Sequence, residues 1–255
     1  MNVLSSLDRF AIIAFLFTFL NLLCGLIGII VSIYFSSNFF YLPLQLLIFG
    51  AIFDFLDGKI AKMSSTKSTL GEYSDSIGDT ITFAILPGIM ILNAPTIGNN
   101  NPDIAAFLGL GIAGIYSLCG WARLVRFTFR PTTTHFEGFP SPAAALLVGS
   151  SALLAQSVEA EWLFWANGVT LTAITVVVGF LMLVPINYPN PKRQMKPDLI
   201  AISVAGIVVI IFVLFPYTLT LFGVIFIAML YTVFGPYYLK QTEKMRKKLK
   251  IPINQ

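Results

Sequence analysis

The sequence predicts an all-α integral membrane protein, a bundle of about eight transmembrane helices with both termini in the cytoplasm. Three observations predict it. Of its 255 residues, 56% are hydrophobic and only 11% charged, and the mean hydropathy is +0.83; a soluble domain carries about 25% charged residues. Six stretches (10–53, 80–102, 104–122, 138–158, 162–191 and 199–239) contain no Asp, Glu, Lys or Arg. The charges that remain sort by side when eight spans are threaded.

Taken in order, the first stretch holds two spans at about 20 apolar residues each, with a break near Ser36, Ser37 and Asn38. Its apolar run begins at Phe10 and has no small-residue cleavage pattern, so it reads as a retained first span rather than a signal peptide. The next four stretches hold one span each. The last holds two, divided at Phe215, Pro216 and Tyr217, where proline interrupts the run. With eight spans, all 16 Lys and Arg fall on one face, from Arg9 through Lys59, Lys62, Lys67, Arg123, Arg126, Arg130 and Lys192 to the tail. Asp103, Glu159 and Glu161 fall on the other. The positive-inside rule makes the basic face cytoplasmic.

The expected organisation is a single transmembrane domain over 1–255, with a core at 10–192, two additional spans at 197–239 and a basic cytoplasmic tail at 240–255. That tail, with Lys244, Arg246, Lys247, Lys248 and Lys250, suits a topology signal or anionic lipid; no nucleic-acid partner is expected. Cys24 and Cys119 lie within predicted spans and read as packing residues.

The chemistry is concentrated in 54–79, DFLDGKIAKMSSTKSTLGEYSDSIGD. Asp54 and Asp57 are spaced i, i+3, and Asp75 and Asp79 i, i+4, so each pair shares one helix face. Four carboxylates facing one pocket in so apolar a chain need cations or water beside them. Oxygen-only ligands favour a hard divalent ion, Mg²⁺ or Mn²⁺. Gly58 and Gly71 leave room for a ligand to approach the backbone. Lys59, Lys62, Lys67, Ser64, Ser65, Ser68 and Thr69 supply donors suited to phosphate oxygens. These are the parts of a phosphoryl-type transfer site.

The segment resembles the signature of the CDP-alcohol phosphotransferase family, D-x2-D-G-x2-A-R-x8-G-x3-D-x3-D. Asp54, Asp57, Gly58, Ala61, Gly71, Asp75 and Asp79 match it in spacing, while Lys62 stands where the family has arginine. A lysine keeps the charge and loses the bidentate fork. The resemblance implies transfer of the phosphatidyl group of a CDP-linked lipid to an alcohol, with release of CMP. It implies that the four aspartates hold one or two divalent cations and that Asp79 is also the general base. It further implies that Asn21, Gly58, Ala61, Lys62, Ser68 and Gly71 line the CDP-lipid site, and that two protomers pair as a homodimer.

Further segments point to the acceptor. Residues 18–25 (TFLNLLCG), 123–127 (RLVRF), 136–145 (FEGFPSPAAA) and, with departures, 182–192 resemble segments of the family's serine-accepting members, the phosphatidylserine synthases. The expected substrates are CDP-diacylglycerol and L-serine in the lipid bilayer of the cell (inner) membrane, with the site on its cytoplasmic side. Arg123 and Arg126, spaced i, i+3, are candidates to clamp the serine carboxylate or a lipid phosphate, with Lys192 as a third. Another alcohol acceptor (glycerol phosphate, inositol or choline) or an archaeal lipid donor remains the alternative. From a different class, an ion-coupled transporter would also place acids in spans.

Overall fold

The computed structural model describes residues 9–35, 39, 41–64, 69–94, 102–129, 135–156 and 168–189. The expected break at 36–38, Ser68, Lys192, the two additional spans and the basic tail lie outside the described residues. Within them the elements are α1 (Arg9–Tyr34), α2 (Leu42–Ile60), α3 (Thr69–Asp79), a π-helical turn (Thr80–Ile85), α4 (Leu86–Leu92), α5 (Pro102–Phe129), α6 (Ser141–Gln156) and α7 (Gly168–Leu183). A short antiparallel ribbon pairs β1 (His135–Glu137) with β2 (Asn187–Pro189).

Local sequence explains the boundaries. Helix α2 has proline in its first turn and runs into a 3₁₀ turn, Ala61–Met63, ending where Ser64 adopts extended backbone. Proline is tolerated at a helix start because its missing N–H has no partner there. Helix α5 starts at Pro102 with Asp103 in its first turn and has Arg126 in its last, both favourable to the helix dipole. Beyond α7, Pro185 cannot continue a helix.

Among the described residues, three helical segments are long and apolar enough to cross a membrane: Arg9–Tyr34, Tyr73–Leu92 and Asp103–Phe129. Ser141–Gln156 and Gly168–Leu183 are shorter apolar helices. The helix that carries the start of the charge-free stretch at 80–102 therefore begins before that stretch. Helicity continues unbroken from Thr69 to Leu92, so Asp75 and Asp79 sit inside a helix rather than ahead of it. Charged residues delimit a span only when they face lipid, and these two face other helices.

This long helix is the centre of the bundle. Its apolar end contributes Phe83, Leu86 and Met90 to a core shared with Leu44 and Leu47 of α2, Ala145 and Leu153 of α6 and Leu171 of α7. On its other side Ile91 joins Ile112 and Tyr116 of α5, Leu147 and Val148 of α6 and Val178 and Met182 of α7. Helix α1 packs chiefly against α2 and also touches α3, the π turn and α4. Its outer face exposes Phe15, Leu16, Phe19, Leu26, Ile27 and Ile30, an apolar surface of the kind lipid covers.

The ends of α5 and α7 are sewn together beside the ribbon. Arg126 Nη1 donates to the Leu183 carbonyl at 2.9 Å. The Gly138 N–H bonds to the Ile186 carbonyl at 2.9 Å and the Phe139 N–H to that of Leu181 at 3.0 Å. Gly138 has φ +79°, and a Cβ there would run into the Met182 carbonyl oxygen, so this corner requires glycine.

Candidate active site

Three helices build the site. The last two turns of α2 carry Asp54 and Asp57, both buried at 4% exposure. Helix α3 carries Asp75 and Asp79, both half-buried. Helix α1, the third wall, carries no charge here and instead presents Thr18 and Asn21, spaced i, i+3 on one face and both buried.

Carboxylate oxygens of Asp54, Asp57 and Asp75 all lie within 4.8 Å of one another. Asp79 is held separately: Asn21 Nδ2 donates to its Oδ1 at 3.0 Å. Thr18 does the matching service for the other pair, its hydroxyl lying 2.9 Å from Asp57 Oδ2 and 3.2 Å from the Ala14 carbonyl. A hydroxyl has one proton to give, and the charged oxygen is the stronger acceptor. One neutral donor from α1 thus steadies one carboxylate of each pair.

The donor set suits a hard divalent cation. All ligand atoms are oxygens, and they converge from two helices. A shell with metal–oxygen distances of about 2.1 Å spans roughly 4 Å between opposite oxygens, so small rotations would close three carboxylates around one ion.

The remaining sequence candidates are dispersed around this centre. Gly58 follows Asp57 on α2 and is half-buried, as is Gly71 in the first turns of α3. Ala61 caps α2, its N–H bonding to the Asp57 carbonyl; Lys62 follows in the 3₁₀ turn. Lys59 Nζ sits 4.6 Å from the centroid of the Phe55 ring, a cation–π contact at the same helix end. Arg123 is 5% exposed, and its Nη1 donates to the Ser141 hydroxyl at 2.7 Å, at the start of α6. Arg126, half-buried, spends at least one N–H on the Leu183 carbonyl of α7.

Thr18 is the site residue that the sequence candidates omit. It heads the TFLNLLCG segment, so the signal was present, but a threonine in an apolar span ordinarily bonds its own helix backbone. Only the helix packing shows that Asp57 lies across from it.

The profile of the family described as CDP-alcohol phosphatidyltransferase matches residues 11–181. The chain belongs to this family. Among curated relatives, a protein of Methanocaldococcus jannaschii named CDP-diacylglycerol–serine O-phosphatidyltransferase is 30% identical over 186 residues, covering 73% of this chain and 78% of the relative. Proteins of the same name from Helicobacter pylori and Bacillus subtilis are 31% and 27% identical, over 70% of this chain and 72% and 90% of theirs. The CDP-alcohol phosphatidyltransferase match covers α1 to α7 nearly complete, and all four aspartates lie within it.

Proposed function

We propose that this chain transfers the phosphatidyl group of CDP-diacylglycerol to the hydroxyl of L-serine, giving phosphatidylserine and CMP. The observation that carries the reading is the convergence of Asp54, Asp57 and Asp75 within 4.8 Å, in a chain whose curated relatives bear the name of that reaction.

In this reading Asp54, Asp57, Asp75 and Asp79 hold Mg²⁺ or Mn²⁺. When bound, the cation neutralises the diphosphate and stabilises negative charge on its oxygens and on departing CMP. Asp79 accepts the serine hydroxyl proton, and the Asn21 amide fixes that carboxylate through its Oδ1. The serine oxygen forms the new bond to the β-phosphorus, the one bearing diacylglycerol, as the bond from that phosphorus to the CMP oxygen breaks. Gly58, Ala61, Lys62, Ser68 and Gly71 line the path of the CDP moiety, and Asn21 closes it. Arg123, Arg126 and Lys192 are the cations for the serine carboxylate or lipid phosphate. Arg123 and Arg126 each spend one N–H within the protein, on the Ser141 hydroxyl and the Leu183 carbonyl, and keep other guanidinium N–H groups.

The domain plan belongs to the same proposal: eight spans in the cell (inner) membrane, a core at 10–192, two further spans at 197–239, both termini and the site cytoplasmic, and a homodimer. A soluble nucleotide and a soluble amino acid then reach the site from the side where the basic residues lie, with acyl chains left in the bilayer.

The test is transfer of radiolabelled serine into lipid in liposomes containing CDP-diacylglycerol, with Mn²⁺ or Mg²⁺, beside Asp79→Asn and a chelated control. Label in lipid that disappears in both controls supports the reading. CMP release with inositol or glycerol phosphate but not serine replaces the acceptor. No metal-dependent CMP release with any alcohol sinks the proposal.

A further inference from the structure

The chain leaves α-helical geometry at one place in its central helix, immediately after Asp79. Over Thr80–Ile85 the helix widens to π geometry, and the Leu86 N–H reaches back five residues to the Ile81 carbonyl. A π turn adds one residue to the helix, so it rotates the segment before it relative to the segment after it by about 100°. Such insertions cost hydrogen-bond geometry and persist where neighbours hold them.

Here the neighbours are identifiable. Pro87 has no N–H to offer the Phe83 carbonyl four residues back, and the buried Tyr116 hydroxyl of α5 donates to that carbonyl at 3.1 Å. The Ser117 hydroxyl donates to the next carbonyl, that of Ala84, at 3.0 Å. On the opposite side Thr82, fully buried, donates its hydroxyl to the Asn21 main-chain carbonyl at 2.9 Å. The approach is close: a Cβ on Gly25 would come 2.5 Å from Thr82 Oγ1, and one on Gly50 would come 2.6 Å from Thr82 Cγ2 and 2.9 Å from Asn21 Oδ1. The π turn and the glycines of α1 and α2 thus form a fitted socket around Thr82 and Asn21.

Asn21 is gripped at both ends by the helix it serves. Its backbone carbonyl accepts from Thr82, and its side-chain amide donates to Asp79, three residues earlier on that helix. We propose that Thr82 is a positioning residue for the transfer reaction: by anchoring the Asn21 backbone within the π turn, it sets the direction in which Asn21 presents its amide to Asp79. The proposal rests on Asp79 taking part in the reaction. Thr82 itself touches no substrate.

The experiment compares Thr82→Val, which keeps shape and loses the hydroxyl, with Thr82→Ser, which keeps the hydroxyl and loses the methyl, in liposomes with CDP-diacylglycerol, serine and Mn²⁺. Loss of one orienting hydrogen bond should lower kcat about tenfold in Thr82→Val, with KM for both substrates within about twofold of wild type. Thr82→Ser should recover most of that loss. In an Asn21→Ala background Thr82→Val should add nothing, because the group it orients is gone. Unchanged kcat in Thr82→Val, equal losses in Val and Ser, or independent multiplying effects with Asn21→Ala would each overturn it. Should wild type use another alcohol, the same ratios are measured with that alcohol. Should wild type transfer to none, the proposal is overturned together with the reading it rests on; transfer by wild type with unchanged kcat in Thr82→Val overturns the proposal alone.

Discussion

Two asparagines tie the same pair of helices together, and they do different work. Asn93, at the end of α4, donates to the Ser32 carbonyl and hydroxyl of α1 at 2.6 and 2.9 Å. Asn21, on α1, donates to Asp79 of α3 at 3.0 Å. Asn21 and Ser32 are eleven residues apart on α1, or about 16 Å along its axis. At the Asn93 end the acceptors are neutral and the bonds close a helix terminus. At the Asn21 end the acceptor is a carboxylate, in a chain that is 11% charged. The difference separates polar groups that stabilise a bundle from polar groups that the bundle must be stable enough to carry.

The comparison can be broken most sharply at the acids. Asp75→Asn should reduce transfer by roughly three orders of magnitude, since it removes a ligand and a charge from the cluster. In the same protein without metal, the apparent melting temperature should rise by a few degrees as like-charge repulsion is relieved. A melting temperature that falls with activity would mean that the acids serve the fold. Chelation of wild type should abolish transfer, and Mn²⁺ should restore it, whereas the Asn93 end should be indifferent to either.

The asparagines themselves give the next largest contrast. Asn21→Ala should lower kcat at least about tenfold and, by emptying a buried socket and losing a charge-assisted hydrogen bond, cost at least about 1 kcal/mol as well. Asn93→Ala should leave kcat within about twofold and cost about 1 kcal/mol, the usual worth of such a hydrogen bond. Equal activity losses in the two variants would erase the distinction between them.

A third variant probes the ribbon corner. Gly138→Ala places a Cβ against the Met182 carbonyl at φ +79° and should destabilise by about 1–3 kcal/mol, measured as loss of monodisperse protein on heating. The smallest effect belongs to Lys62→Arg. Restoring the guanidinium fork should lower KM for CDP-diacylglycerol a few-fold, since a bidentate donor grips phosphate better than a point charge.

Much of this molecule was legible because the membrane imposes strict accounting on charge. A carboxylate inside an apolar chain needs a partner, so Asp54, Asp57, Asp75 and Asp79 announced a site before any helix was drawn, and their i, i+3 and i, i+4 spacings announced helix faces. Thr18 and Thr82 were not legible in the same way. A threonine in an apolar span can satisfy itself on its own helix, and nothing local shows when a neighbouring helix offers something better. The unbroken helix from Thr69 to Leu92 was not legible in the charge-free stretch 80–102 for a related reason, since a charge facing another helix does not end a helix.

By itself, then, the sequence determined that the chain is a helical membrane protein and that four aspartates share helix faces within one acidic segment. Those conclusions rest on composition and on helical periodicity, both of which are local. The tertiary structure alone decided that Asp54, Asp57 and Asp75 converge and that Asn21 of α1 holds Asp79. It also decided that a π turn clamped by Tyr116, Ser117 and Thr82 separates the acidic end of the central helix from its apolar end. Those depend on which faces of α1, α2 and α5 meet that helix, because hydrogen bonds between residues tens of positions apart are set by packing and leave no periodic trace in the chain.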